Sequence, residues 1–150
     1  MVEHAVEAEI NQRGIDRTDP LQLAAVRDTV GRFWAQLSPD PATPPPHSTG
    51  AAVDLTLARQ SDGTTLAMGG AIDAVDVISE PNHYAGAAPN TDAAQWHQRR
   101  QLLASVMEAA GFAQHPNEWW HFSHGDQLWA WCTDAGSAVY AAAASSSLTA

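Results

Sequence analysis

The sequence predicts an α+β domain in which a small, mainly antiparallel sheet is flanked by helices. Three segments carry apolar side chains at helical spacing, and a segment between them alternates apolar and polar residues before a turn sequence. The chain has 150 residues, which is the size of one ordinary domain. We therefore expect residues 1–150 to form a single domain, with residues 141–150 as a frayed tail of low complexity.

Helices are predicted at residues 2–12, 20–37 and 91–110. Asp19 precedes Pro20, which pairs a capping side chain with a residue that has no amide proton to satisfy. Gly111 stands where the third helix is expected to stop. The apolar residues expected on the buried side of that helix are Trp96, Leu102, Leu103, Val106, Met107 and Ala110.

The strand predictions come from alternation and aromatic content. "AAVDLTLA" at 51–58 places Val53 on a covered face and Ala52 with Asp54 on the opposite one, and "SDG" at 61–63 predicts a hairpin turn to a return strand at 64–67. The aromatic segments 118–122 and 127–132 are also predicted as strands.

The remaining segments are predicted to lack regular structure. Residues 38–46, "SPDPATPPP", form an extended connector. Residues 69–89 form a long loop, of a length that is more often functional than structural.

The charge composition excludes some classes of binding partner. Acidic residues number 17 against 7 basic ones, all arginine, and the formal net charge is −10. This charge argues against nucleic acid and anionic lipid as partners. Cys132 is the only cysteine and is expected to be a small buried side chain. No apolar run is long enough to cross a bilayer and no signal peptide is evident, so the chain as written is expected in the cytoplasm, or in the periplasm if a longer N-terminus exists.

Two segments combine metal-binding residue types. His47 leaves the proline connector and Asp54 projects from the predicted strand, while Glu118 and His121 bracket two tryptophans. If His47, Asp54 and His121 converge, they form a three-ligand site with a free fourth position. Glu118 can join it only if the chain bends, because residues three apart on a strand face opposite sides. The alternatives are a surface aspartate, ordinary polar histidines and an aromatic core segment with polar ends.

The same segments resemble the motifs of a known family. "HSTGAAVDLTL" resembles the SxHxxGxAxD motif, and "EWWHF" the ExWH motif, of the D-alanyl-D-alanine dipeptidases. Those enzymes are zinc metallopeptidases that share a fold with D-Ala-D-Ala carboxypeptidases and the hedgehog signalling domain. The likeness extends over "MGGAIDAVD", "RRQLLASVMEAAGF" and "GDQLWAW", and so runs from about residue 47 to 140.

The resemblance implies a hedgehog-like fold and one zinc ion bound by His47, Asp54 and His121. It further implies that Glu118 is the catalytic base and that Asp73 receives the ammonium group of a free dipeptide. Asp76 and His83 are expected as loop residues. His124 and Asp126 are expected to fix the turn after His121 or to orient a ligand imidazole.

Two departures from the family pattern stand out. Pro45 replaces the family's serine two residues before the first zinc histidine. The family's aromatic-Arg-Pro motif is missing, and Arg13 and Arg17 lie in a different context, at a predicted helix end. Its arginine stabilises charge on the scissile carbonyl, and the loss of one such donor lowers turnover by about 100 to 1,000-fold. We therefore expect an N-terminally truncated and weakened enzyme.

The resulting functional prediction is zinc-dependent hydrolysis of D-alanyl-D-alanine, or similar small D-dipeptides, in peptidoglycan precursor metabolism. The alternative is a zinc-binding remnant of the family with little or no activity, which the missing arginine favours. Retention of Glu118, which zinc binding alone does not need, favours the enzyme. A third possibility is carboxypeptidase-like activity on longer peptidoglycan stems.

Overall fold

The computed structural model describes residues 2–33 and 43–143 and has α+β architecture, as predicted. Helices and short strands follow one another along the chain, with the three strands in one antiparallel sheet. The elements are α1 (Val2–Arg13), α2 (Pro20–Phe33), a 3-10 turn (Pro46–Thr49), β1 (Ala52–Asp54), a second 3-10 turn (Val77–Ser79), α3 (Asp92–Ala109), β2 (Ala113–Gln114), β3 (His121–Ser123) and α4 (Gln127–Cys132). The predicted continuation of α2 to residue 37, part of the connector and most of the predicted tail lie outside the described residues.

The N-terminal helices form a pair. The Asp19 side chain accepts hydrogen bonds from the backbone N–H groups of Leu21 and Gln22, which caps α2 as the sequence predicts. The helices pack through a buried cluster, and Val75 of the long loop packs against that cluster. The members of the cluster are Val6, Ile10, Val26 and Val30. This packing places α1 beside the long loop.

The sheet is smaller than predicted and has the order β1-β3-β2. Val53 pairs with Phe122, but it is 40% exposed. Ala52, which was predicted on the open face, is buried. The prediction of which face of β1 is covered is therefore wrong. The strand is only three residues long, so the alternation read over 51–58 continues beyond it, and Leu55 and Leu57 pack on the core from outside the strand. The hairpin turn is present, but its return strand is reduced to one bridge between Ala58 and Thr65.

Two further strand predictions need correction. Residues 127–132 form α4, because Asp126 accepts a hydrogen bond of 2.8 Å from the backbone N–H of Trp129 and so caps a helix. The strand predicted at 118–122 begins only at His121, since Trp119 and Trp120 lie in a bend. Short aromatic runs suit either a helix or a strand, so periodicity alone did not distinguish them.

The long helix α3 has the predicted extent but a different buried face. Leu102 and Val106 are 54% and 56% exposed. The buried residues are Arg100, Leu103 and Ala104, and Ala110 is exposed. The prediction that Cys132 is buried is also wrong, since at the end of α4 its side chain is exposed. The hydrophobic pattern was misleading because a charged residue stands in the middle of the buried stripe. Within the described part of the chain, neither α3 nor another helix has the length and hydropathy of a bilayer span.

Arg100 connects α3 to both ends of the loop segment that carries Asp73. Its Nε donates to the carbonyl of Met68 at 2.8 Å and its Nη1 to the carbonyl of Glu80 at 2.9 Å. The guanidinium also lies over the rings of Tyr84 and Trp119. The loop predicted at 69–89 is therefore irregular in conformation, but Arg100 holds Met68 and Glu80 close to α3.

Candidate metal centre

The pairing of β1 with β3 sets Asp54 directly opposite His121. His47 reaches the same place from the first 3-10 turn, which ends at Gly50 with a φ of +72°. An Asp54 oxygen lies 3.1 Å from Nδ1 of His121, and the other lies 3.2 Å from Nε2 of His47. Three residues that are distant in sequence are thus brought into one cluster, which we call the donor triad.

The donor triad fits a metal ion. Each member offers one ligand atom, and the three atoms lie within 4.8 Å of one another. Two imidazole nitrogens and one carboxylate oxygen form a set that binds zinc at catalytic sites and leaves a fourth position open. His121 is buried whereas His47 and Asp54 are exposed, so one side of the triad faces solvent. A small substrate can approach from that side.

Glu118 lies beside the donor triad and is 6% exposed. The bend at the two tryptophans brings its Oε2 to 3.6 Å from Nδ1 of His121. Burial, together with the charges of Asp54 and Asp73, raises the pKa of Glu118 to about 7 against the opposing effect of His121. A carboxyl group with such a pKa exchanges protons readily near neutral pH.

The turn that carries Glu118 is organised by His115, which the sequence analysis did not single out. The His115 backbone N–H donates to the carbonyl of His121 at 2.9 Å, and its Nδ1 accepts from the N–H of Asn117. Burial, with a further contribution from His121, lowers the pKa of His115 to about 4. Ser123, also missed, is fully buried with its Oγ 3.3 Å from Nε2 of His121. Neither residue belongs to a sequence pattern that would have revealed it.

Asp73 lies on the long loop, with a backbone φ of +63°. Burial and the negative charge of Asp54 raise the pKa of Asp73, whereas His47 and His121 lower it. The three residues that influence this pKa besides burial are the members of the donor triad.

Four further residues singled out in the sequence make contacts outside the donor triad. Asp76 accepts from the N–H of Val77 and caps the second 3-10 turn. His83 is an exposed loop residue whose ring packs against Tyr84. Asp126 is fully buried and caps α4 in the turn that follows β3. The ring of His124 packs against those of Phe112 and Trp129.

The donor triad, with a buried carboxyl group beside it, has the composition of the metal sites found in single-metal hydrolases. The comparison with family models agrees. The model described as D-ala-D-ala dipeptidase matches residues 8–140. The chain belongs to this family of metallopeptidases.

Similar proteins carry the same description. A D-alanyl-D-alanine dipeptidase of Synechocystis sp. is 44% identical over 138 residues, which are 87% of this chain and 56% of that protein. Those of Streptomyces coelicolor and Enterococcus faecium are 46% and 40% identical, each over 51% of this chain and 35% of their own length. The chain thus spans just over half of the first relative and about a third of the other two.

Proposed function

We propose that this protein hydrolyses D-alanyl-D-alanine or similar D-dipeptides with the help of one zinc ion, in the metabolism of peptidoglycan precursors. The observation that carries the proposal is the position of Glu118, buried at 3.6 Å from a nitrogen of His121. A site that only stores metal has no need of a buried carboxyl group there. The family membership of the chain and the names of its relatives support the same substrate class.

We also propose that the domain has the hedgehog or D-Ala-D-Ala peptidase-like fold. The support is its three-stranded antiparallel sheet with helices around it, together with the match to the family model. The edge strand β1 and the central strand β3 supply Asp54 and His121 in that arrangement.

In the proposed mechanism His47, Asp54 and His121 hold the metal. Zinc, when bound, supplies Lewis acidity that polarises a carbonyl group and lowers the pKa of water. Glu118 takes a proton from the attacking water and returns it to the leaving amine. Asp73 pairs with the substrate ammonium group and so selects free dipeptides over longer chains.

The direct test is release of D-alanine from D-alanyl-D-alanine by the purified, zinc-loaded chain. We expect release that a Glu118→Ala variant abolishes. A folded, zinc-bound chain that releases no D-alanine would instead support the non-catalytic alternative, a zinc-binding remnant of the family.

Removing one ligand is expected to remove the metal. In His47→Ala the triad loses an imidazole nitrogen, and we expect zinc affinity to fall by at least about 100-fold. His47 suits this test because its side chain is half exposed, so the fold should persist. Competition with a chromophoric chelator measures the affinity. His83→Ala, which removes an exposed loop histidine, serves as the control and should retain wild-type affinity. Unchanged zinc binding in His47→Ala would refute the ligand assignment.

Asp73→Asn is expected to weaken selection for a free amino group. The loss of a charge-assisted hydrogen bond, about 1.5–3 kcal/mol, should lower kcat/KM for D-alanyl-D-alanine by about 10 to 100-fold. The N-acetylated dipeptide, which lacks the ammonium group, should lose little. A loss of equal size on both substrates would mean that Asp73 does not recognise the amine.

A further inference from the structure

A large cavity lies between α1 and residues 73–78 of the long loop. Its volume is about 980 Å³, at the upper end of the range for small-molecule sites. Its apolar lining comes from Ala74, Val75 and Ile78 on the loop side and from Ala8 on α1. The packing of Val75 against the cluster that joins α1 and α2 holds the two walls together.

Asp73 belongs both to this cavity and to the proposed mechanism. It lines the cavity, and in the proposed mechanism it pairs with the ammonium group of the dipeptide. A dipeptide whose ammonium group sits on Asp73 therefore has its first residue at the mouth of the cavity. A methyl side chain would leave most of that space to water.

The charges around the cavity favour a cation. Three carboxylates, those of Glu9, Asp73 and Asp76, line it together with one guanidinium group, that of Arg13. Arg13 forms an ion pair with the buried carboxylate of Glu9, and Asp73 serves the ammonium group in the proposed mechanism. Asp76 remains as a negative charge beside an apolar wall.

We propose that this cavity binds the side chain of the substrate's first residue and prefers a long aliphatic side chain with a cationic end, as in D-lysyl-D-alanine. The aliphatic part contacts the apolar wall and the cationic end pairs with Asp76. This inference rests on the proposed function, since it takes the substrate to be a dipeptide held by Asp73.

The test is a binding measurement that does not depend on turnover. Dissociation constants for three dipeptides are measured by calorimetry on the zinc-loaded Glu118→Gln chain. D-norleucyl-D-alanine should bind about tenfold more tightly than D-alanyl-D-alanine, because its side chain has additional methylene groups to bury. D-lysyl-D-alanine should gain about a further threefold from an exposed ion pair.

Two variants locate the effect. Ala8→Trp, which puts an indole ring into part of the cavity, should reduce the preference for the longer side chains. The matched control is Ala24→Trp on an exposed position of α2, which should leave all three dissociation constants unchanged. Asp76→Asn keeps an acceptor for the Val77 N–H but should remove the advantage of lysine over norleucine.

The outcomes separate the two proposals. Equal affinity for the three dipeptides, no binding of any of them, or a preference that Ala8→Trp leaves unchanged would overturn the inference. If the inference fails in any of these ways, hydrolysis of D-alanyl-D-alanine by the wild-type chain would still support the proposed function. Selective binding of the longer dipeptides without hydrolysis by the wild-type chain would support the inference and count against the proposed function.

Discussion

Glu118→Gln is expected to lower the turnover of D-alanyl-D-alanine by about 1,000-fold while the chain keeps its metal, within the range for loss of a general base. Glutamine has nearly the shape of the glutamic side chain but accepts no proton from water at neutral pH. Because Glu118 is buried beside His121 and is not a member of the donor triad, zinc binding should change little. Steady-state kinetics and metal content, measured on the same preparation, check both parts.

The matched control is Glu108→Gln, which makes the same change at an exposed position of α3. It should leave both turnover and metal content at wild-type values. Turnover within about threefold of wild type in Glu118→Gln would mean that another group takes the proton from water, or that the proton goes directly to solvent.

Arg100→Met is expected to lower the free energy of unfolding by about 2 kcal/mol. The Met68 carbonyl loses a donor in a buried position, at about 1–3 kcal/mol, the Glu80 carbonyl loses one in a partly buried position, and the Tyr84 and Trp119 rings lose a cation. Relief of the buried charge offsets part of this loss, because burial lowers the pKa of Arg100 to about 10. Urea unfolding measures the net effect.

The loop that carries Asp73 should also be less well positioned in Arg100→Met, so KM for D-alanyl-D-alanine should rise. Arg99→Met is the neighbouring control. Arg99 donates to the carbonyl of Ala67 from an exposed position, and its loss should cost less than about 1 kcal/mol. Equal destabilisation by the two substitutions would show that the contacts of Arg100 with the loop ends contribute nothing beyond those of an exposed arginine.

Features that depend on short-range chemistry were predicted well. The Asp19 cap, the extent of α3 and its end at Gly111 each follow from a few neighbouring residues. The α+β class also followed from such signals. The family was predicted from two motifs, and the match over residues 8–140 confirms it.

Features that depend on long-range packing were predicted less well. One local feature was missed as well, since a strand was predicted at 127–132, where capping by Asp126 produces a helix. The sequence placed Leu102 on the buried side of α3, where Arg100 is buried instead. A hydrophobic pattern cannot anticipate a buried guanidinium group whose partners are backbone carbonyls of a distant loop.

By itself, the sequence determined the three longer helices, the cap of α2, the family, and the residue types from which a metal site could be built. Only the tertiary structure decided that His47, Asp54 and His121 converge, that the chain bends to bring Glu118 to them, and that a cavity opens beside Asp73. The physical reason is the separation in sequence over which each kind of interaction acts. Caps and periodicity act over a few residues, whereas convergence depends on strand register and on packing between segments far apart in the chain.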